Sequence, residues 1–451
     1  MRSLGFLSGL RFALRRGAAS AAVFWVLLFG LAKAEDCLHS GAVPVARPSS
    51  GQVLSEERAV SLALAADARL RAQRERVDAA AGGVQAQTRL VNPVLDIGTS
   101  AGGNGVGSRD EDIIVSQTFD TSGQRKLRRL AALRMLDSAH SDYSMAVNDL
   151  VREVRLAYVE AQAAVGQRDL GRESAERANR VKELVSRQVA RGAAAQTALT
   201  RAEIELLRVR QATRRSELAA GLATVELASL LGQRHGGSFA LEPLDACAAP
   251  PRPGELDALQ AEAKRRRPDL SSLAESVRAQ EQEVRAIGAR RRPDLMVAAR
   301  RAKLFDSEAD VGVRAGFIVP LFDYGSIAGE ERQARGVAAE RRASLEALER
   351  KVDAQVALSY EKDLSARQAL QSYEGSVLAR SSELLEKTRQ GYESGLYSLL
   401  ELIDAEGAMN QTRLGYISAQ AELRNAAIEL AWALGRYAPA EADRASKEKK
   451  P

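Results

Sequence analysis

Aromatic side chains make up only 4% of this 451-residue chain. Rings supply much of the buried area in compact cores, so a string of ordinary globular domains is a poor fit. Histidine is nearly absent: His39, His140 and His235 stand far apart, and neither cysteine has a ligand-like neighbour. No HExxH run and no Ser/His/Asp arrangement occurs, so neither a catalytic constellation nor a resident metal or cofactor is expected. Proline is missing from the whole interval between Pro93 and Pro243. After residue 31 no apolar run approaches the roughly 20 residues that a membrane-spanning helix needs. The formal charge of +6 also misleads, because Arg2, Arg11, Arg15, Arg16 and Lys33 lie in a stretch without acids, leaving +1 for the remainder. No basic stripe interleaves with aromatics, so nucleic acid is not an expected partner.

What is present begins with an export signal. Residues 1–34 run from arginines through an apolar segment, Ala18 to Leu31, to Ala32-Lys33-Ala34, a small-x-small cleavage pattern. An extended leader over 35–54 follows. The leader contains Cys37, and a linker at 236–254 contains Cys247, at comparable places in two halves of the chain. Export permits a disulfide; a bridge and two free thiols both fit the sequence. Glu35-Asp36 before Cys37 argues against a lipidated cysteine.

The halves are related by a constant offset. Gly395 follows Gly192 by 203 positions, and Leu199/Leu402, Ala202/Ala405, Arg210/Arg413 and Leu231-Gly232/Leu434-Gly435 keep that spacing. The expected organisation is a tandem duplication, repeat 1 over 55–235 and repeat 2 over 255–437, with a polar, disordered tail at 438–451. Each repeat holds a β-hairpin, at about 93–120 and about 294–320, and a long helical hairpin turning at Gly192 or Gly395. The alanine-, leucine- and arginine-rich composition suits long helices. Ser55 with Glu56-Glu57 marks a helix start, a break is expected near Gly82-Gly83, and Asn92-Pro93 stops that helix. Ser122 to Arg191 gives about 100 Å of helix at 1.5 Å per residue, too long for one globular core. Such helices must pack along one another as antiparallel coiled coils. Another long helix is expected to run to about Gly391, and the return helix to end at Gly435.

The glycine-rich run 101–111 precedes a strand, not a helix, so it reads as a hairpin loop and not as a phosphate cradle. The last strand alternates: Val311, Val313, Ala315, Phe317 and Val319 on one side, Asp310, Gly312, Arg314, Gly316 and Ile318 on the other. About ten residues suffice for a tilted strand to cross an outer membrane. Four strands cannot close a barrel and open edges are not tolerated in lipid, so two or more copies must share one. The competing reading is a periplasmic coiled-coil scaffold or adaptor without a pore, its strands forming a small soluble sheet. Two duplicated helical hairpins fit that reading poorly.

Several motifs resemble the TolC family of outer-membrane efflux proteins across both repeats. They are Asn92-Pro93, Ser116-Gln117-Thr118-Phe119 with Ser122-Gly123-Gln124-Arg125, the two Arg-Pro-Asp-Leu copies at 267–270 and 292–295, Val319-Pro320-Leu321-Phe322-Asp323, and Gly395 through Ala405. The Gln-Thr-Phe…Gly-Gln-Arg junction resembles the heavy-metal, CzcC- and CusC-like branch. The resemblance implies a mostly α fold with a small β part, in which a homotrimer forms a twelve-stranded barrel in outer-membrane lipid and a helical tunnel in the periplasm. It implies a passive duct that docks on a periplasmic adaptor and an inner-membrane pump. Gly192 and Gly395 would form the docking tips, Glu401 and Asp404 would gate the periplasmic entrance, and Arg314 would face the barrel lumen. The cargo, whether metal, drug or polypeptide, stays open.

Overall fold

The computed structural model describes residues 53–101, 109–233, 239–244, 250–303 and 310–439. The export signal, Cys37, Cys247 and residues 440–451 lie outside them. A two-residue strand β1 (Val53–Leu54) leads into helices α1 (Glu56–Ala66) and α2 (Ala68–Thr88). Ser55 caps α1, its Oγ accepting from the Arg58 amide at 3.3 Å. The break falls at Asp67, whose carboxylate caps α2 by accepting from the amides of Arg69 and Leu70. The break expected at Gly82-Gly83 is absent: both glycines lie inside α2. Each glycine costs about 1 kcal/mol of helix propensity relative to alanine, too little to halt a run flanked by Ala79, Ala80 and Ala81.

Strands β2 (Val94–Ala101) and β3 (Arg109–Phe119) form the first hairpin, followed by α3 (Gln124–Ala190) and α4 (Gln196–Leu230). The 67 residues of α3 extend about 100 Å. A second two-residue strand, β4 (Ala240–Leu241), pairs in parallel with β1. Then come α5 (Leu256–Arg266), α6 (Pro268–Ala289), the hairpin β5 (Asp294–Lys303) and β6 (Asp310–Ile318), and α7 (Ser326–Ser372). The long helix expected to run to Gly391 is interrupted by a π-helical turn at Tyr373–Val377, then continues as α8 (Leu378–Glu393). The final helix is α9 (Leu399–Ala433).

The helices form a layer, not a ball. α4 lies on α3, α3 on α9, and α9 on α7 and α8. Buried side chains gather in separate clusters strung along the layer. One surrounds fully buried Tyr158, whose hydroxyl donates to the Leu54 carbonyl at 2.6 Å and so ties β1 to α3. Another joins Leu259, Val352, Val356 and Leu434.

The two Arg-Pro-Asp copies do different work. Arg267 is almost fully buried, bonds Asp269 and Gln355, and lies over the Trp432 ring at 5.2 Å. In the second copy Asp294 accepts from the amides of Thr121 and Ser122, and the Thr121 hydroxyl donates to the Pro293 carbonyl at 2.6 Å. That clasp joins the strand-to-helix corner of the first hairpin to the start of the second. The four strands make one antiparallel sheet in the order β2-β3-β5-β6.

Candidate functional site: the sheet faces and the hairpin tips

Register fixes which side chains share a face of the sheet. Asp96 stands opposite Ile114, Ile114 opposite Arg300, and Arg300 opposite Gly312; Arg314 stands opposite Ala298. This face carries Asp96, Asp112, Arg300 and Arg314, and Arg300 Nε donates to Asp112 Oδ1 at 2.9 Å. The other face carries Leu95, Ile97, Val115, Val297, Val311, Val313 and Phe317. Val313 is 80% exposed and Phe317 69%. Isolated apolar side chains are common on protein surfaces, but a continuous exposed apolar sheet face marks an interaction with lipid or protein. Polar groups on that face fall near its ends, at Gln117 and Arg301. Immediately after β6, Leu321, Phe322 and Tyr324 are exposed, the two rings 6.4 Å apart. Leu321 and Phe322 belong to the Val319–Asp323 motif, and Tyr324 follows it directly. Their signal, two rings placed just beyond an apolar strand, is that of an interfacial aromatic belt.

Both outer strands of the sheet, β2 and β6, have one unpaired edge among the described residues. The helical layer has a matching feature. On α4, the buried Ala202, Leu206, Thr213, Ala220 and Leu227 face α3. Ile204, Leu207, Leu218, Leu222 and Val225 are exposed and, at 3.6 residues per turn, lie on the opposite side. A helix apolar on two opposite sides is built to have a neighbour on each.

At the far end of the helices both hairpins turn by the same device. Gly192 and Gly395 have φ of +76° and +79°, the left-handed region open to glycine. The amides of Ala193 and Gly192 donate to the carbonyls of Gln188 and Val189; those of Leu396 and Gly395 donate to Gly391 and Tyr392. Four carbonyls at helix ends are thereby satisfied. The returning helices start differently. Ala195 gives α4 no side-chain cap, whereas Ser398 and Glu401 form a reciprocal capping box on α9. Glu401 Oε2 accepts from the Ser398 amide at 2.6 Å and from its hydroxyl at 2.8 Å. The backbone bond from Ser398, then the hydroxyl, hold the Glu401 carboxyl below its ordinary value. The Ser-x-x-Glu spacing was a legible signal for this role, and the family-based assignment of Glu401 to an entrance passed over it. Asp404, one turn on, is exposed on the same side of α9.

Beneath these carboxylates the tips of the two hairpins pack together through Val185, Ala202, Tyr392, Leu399 and Leu402. The Tyr392 hydroxyl donates to Gln188 Oε1 at 2.8 Å, and burial raises the Tyr392 phenol above its ordinary value. Gly391 lets the Tyr397 ring lie against α8, since a Cβ there would sit 2.0 Å from a ring carbon. The structure thus brings Gly192, Gly395, Glu401 and Asp404 to one end of the molecule's helices and leaves Arg314 on the sheet. Among the described residues no group of three His, Cys, Asp or Glu side chains is arranged to hold a metal ion. No described helix is long and apolar enough to cross a membrane.

A sheet with one lipid-compatible face, continued into long helical hairpins, defines a class of membrane channel subunits. The chain belongs to the outer membrane efflux protein family, whose sequence profile matches residues 59–233 and 259–436. It is 26% identical over 413 residues to the cobalt-zinc-cadmium resistance protein CzcC of Cupriavidus metallidurans, covering 90% of this chain and 96% of that one. Among solved structures it is similar to CusC, with a TM-score of 0.72 at 18% identity over 87% of this chain and 95% of that one. It is also similar to VceC of Vibrio cholerae, with a TM-score of 0.69 at 18% identity over 84% of this chain and 96% of that one. The protein is therefore an outer-membrane efflux channel of the TolC type, and the pore-free scaffold reading falls away.

Proposed function

We propose that three copies of this chain assemble head to tail into a passive exit duct, driven by an inner-membrane pump and coupled to it by a periplasmic adaptor. The observation that carries this reading is the four-stranded sheet with an apolar face and two open edges. In that sheet each strand is antiparallel to its neighbours, so β6 of one copy meets β2 of the next in antiparallel sense. No edge then remains in lipid. The exposed apolar side of α4 supports the same contact in the helical layer. Three copies give twelve strands and a lumen lined by the polar face, including Arg314.

In this reading Phe322 and Tyr324 sit at the periplasmic rim of the lipid band. The turns at Gly192 and Gly395 meet the adaptor. Three copies each of Glu401 and Asp404 form carboxylate rings at the tunnel entrance, which attract cations and repel one another. Similarity to a protein named for cobalt, zinc and cadmium resistance favours metal cations as cargo. A metal ion would be cargo in transit, not a resident group. The test is reconstitution. Purified protein should migrate as a heat-resistant trimer and conduct ions across a planar lipid bilayer, and a deletion strain should lose resistance to divalent metals. A stable monomer in detergent that passes no current would overturn the assembly; unchanged metal resistance would overturn the cargo.

A further inference from the structure

We propose that the corner of the first repeat where α2 ends and α3 begins binds a phosphate group through Arg89, Arg125 and Arg128. The three arginines line a cavity of about 240 Å³ together with Gln87, Gln124 and Thr118. A water molecule occupies about 30 Å³, so a phosphate and part of its hydration have room there. None of the three arginine side chains has an ion-pair or hydrogen-bond partner among the described residues. Two acids reach the same cavity, but both are committed. Asp120 accepts from the Ser122 hydroxyl and from the amides of Gly123, Gln124 and Arg125, and Asp294 accepts from those of Thr121 and Ser122. The amides at the start of α3 are thus already capped, and the groups left to meet an anion are the arginine side chains.

The second repeat has the same corner with its charges balanced. Gly123 and Gly325 precede α3 and α7 in the same left-handed conformation. Counted from those glycines, Arg128 and Arg129 stand where α7 has Glu330 and Glu331. There Arg290 donates to Glu330 at 2.5 Å and Arg291 to Glu331 at 3.0 Å, so cations at the end of α6 meet acids at the start of α7. In the first repeat the cation at the end of α2, Arg89, meets more cations. Positive side chains in the first turns of a helix oppose its macrodipole, and like charges around one cavity repel. An anion in the cavity relieves both costs. Arginine forks match phosphate oxygens, two N–H groups to a pair of oxygens. Two sources present phosphate here: phospholipid headgroups, and phosphate free in the periplasm. Leu90 and Val91, exposed beside Arg89, favour the lipid. That source rests on the sheet lying in the bilayer as proposed above; the phosphate site itself does not.

The test is saturable binding by the full chain in a phosphate-free detergent, read from the phosphorus resonance line width. Inorganic phosphate and dihexanoyl-phosphatidylglycerol serve as separate probes. The lipid probe should saturate at one per chain. Arg89→Gln, Arg125→Gln and Arg128→Gln combined should weaken it about tenfold or more, roughly the worth of one charge-assisted hydrogen bond. Lys126→Gln with Arg129→Gln removes two cations from the same turns but outside the cavity, and should leave binding nearly unchanged. Arg89→Gln alone, at an exposed position outside α3, should weaken binding in the same direction as the triple change. Inorganic phosphate bound as tightly as the lipid makes free phosphate the source; binding that needs the acyl chains makes it the lipid. Either result keeps the site. Without ligand the triple variant should unfold at or above the parent's midpoint, because repulsion has been removed; a lower midpoint would mean that the arginines hold the corner themselves and would overturn the site. So would an absence of saturable binding by both probes, or equal losses in the two sets of variants. The cavity lies within one chain, so a chain that binds phosphate but passes no current overturns the duct and leaves the site standing.

Discussion

In the proposed barrel, two adjacent residues of β6 separate the lipid face from the lumen. Val313 lies on the apolar side of the sheet and Gly312 on the side of Arg300 and Arg314. Both sit in the middle part of a nine-residue strand, close to the bilayer midplane if the strand spans it. An arginine on the lipid face at that depth costs about 2–4 kcal/mol, and much less near either interface. A trimer carries the substitution three times, so Val313→Arg should destabilise the assembly by roughly 6–12 kcal/mol. A Cβ at Gly312 meets nothing within 4 Å, so Gly312→Arg should leave the trimer intact. Placing a cation in the lumen should lower single-channel conductance and cation preference. The assay is guanidinium unfolding of trimers in lipid vesicles, paired with planar-bilayer recording. If Gly312→Arg proves the more damaging substitution, or the two variants are indistinguishable in stability, the assignment of the faces is wrong.

Three further outcomes rest on single contacts. Tyr158→Phe removes the donor to the Leu54 carbonyl in a fully buried site; unfolding should become easier by about 1–3 kcal/mol, and an unchanged midpoint would mean the carbonyl finds another partner. Replacing Glu401 and Asp404 together by alanine should lower the cation preference of the pore, and identical currents would remove both from the entrance. Asp120 feels burial, which raises its pKa, but the Ser122 hydroxyl and the amides of Arg125, Gln124 and Gly123 outweigh it and hold the carboxyl below 3.8. Its contribution should therefore be fully present above about pH 4 and be lost as pH falls through the lowered value. Asp120→Asn should be less stable than the unmodified chain near neutrality, and acid titration should bring the two together. A stability gap that persists at low pH would refute this account.

Much of the fold was legible because its signals are local. Alternation along Asp310–Ile318 placed Arg314 opposite Val311 and Val313 before any register was known. Helix-ending glycines announced themselves because only a left-handed residue can close those turns. The misreadings came where propensity competes with neighbours. Gly82-Gly83 stays helical because alanines surround it. The π-helical turn was hidden because Tyr373–Val377 has no unusual composition; the Tyr373 ring that opens it packs against Gly415, some forty residues away, and periodicity within one helix cannot see that partner. The tips were located by their glycines, but the capping role of Glu401 was masked by its resemblance to an entrance carboxylate. Lateral order in the layer was not legible at all, since α4 is apolar on two opposite sides and α9 buries residues around most of its circumference, so neither pattern names a neighbour.

The shape of the layer leads to one more outcome. Its buried side chains lie in several small clusters, and α4 presents five large apolar side chains to solvent, Leu218 among them at 65% exposure. Burying such a side chain is worth about 1.5–3 kcal/mol, comparable with a large share of the net stability of a typical domain. If neighbouring copies cover this side of α4, the isolated subunit lacks much of its own stabilisation, and folding and assembly become one equilibrium. The unfolding midpoint in detergent should then rise with protein concentration. Leu218→Ala combined with Leu222→Ala should weaken the trimer while leaving the contacts within a subunit untouched. A midpoint independent of concentration, with the double variant as stable as the parent, would show that one subunit stands alone, and that the apolar side of α4 serves something other than its own copies.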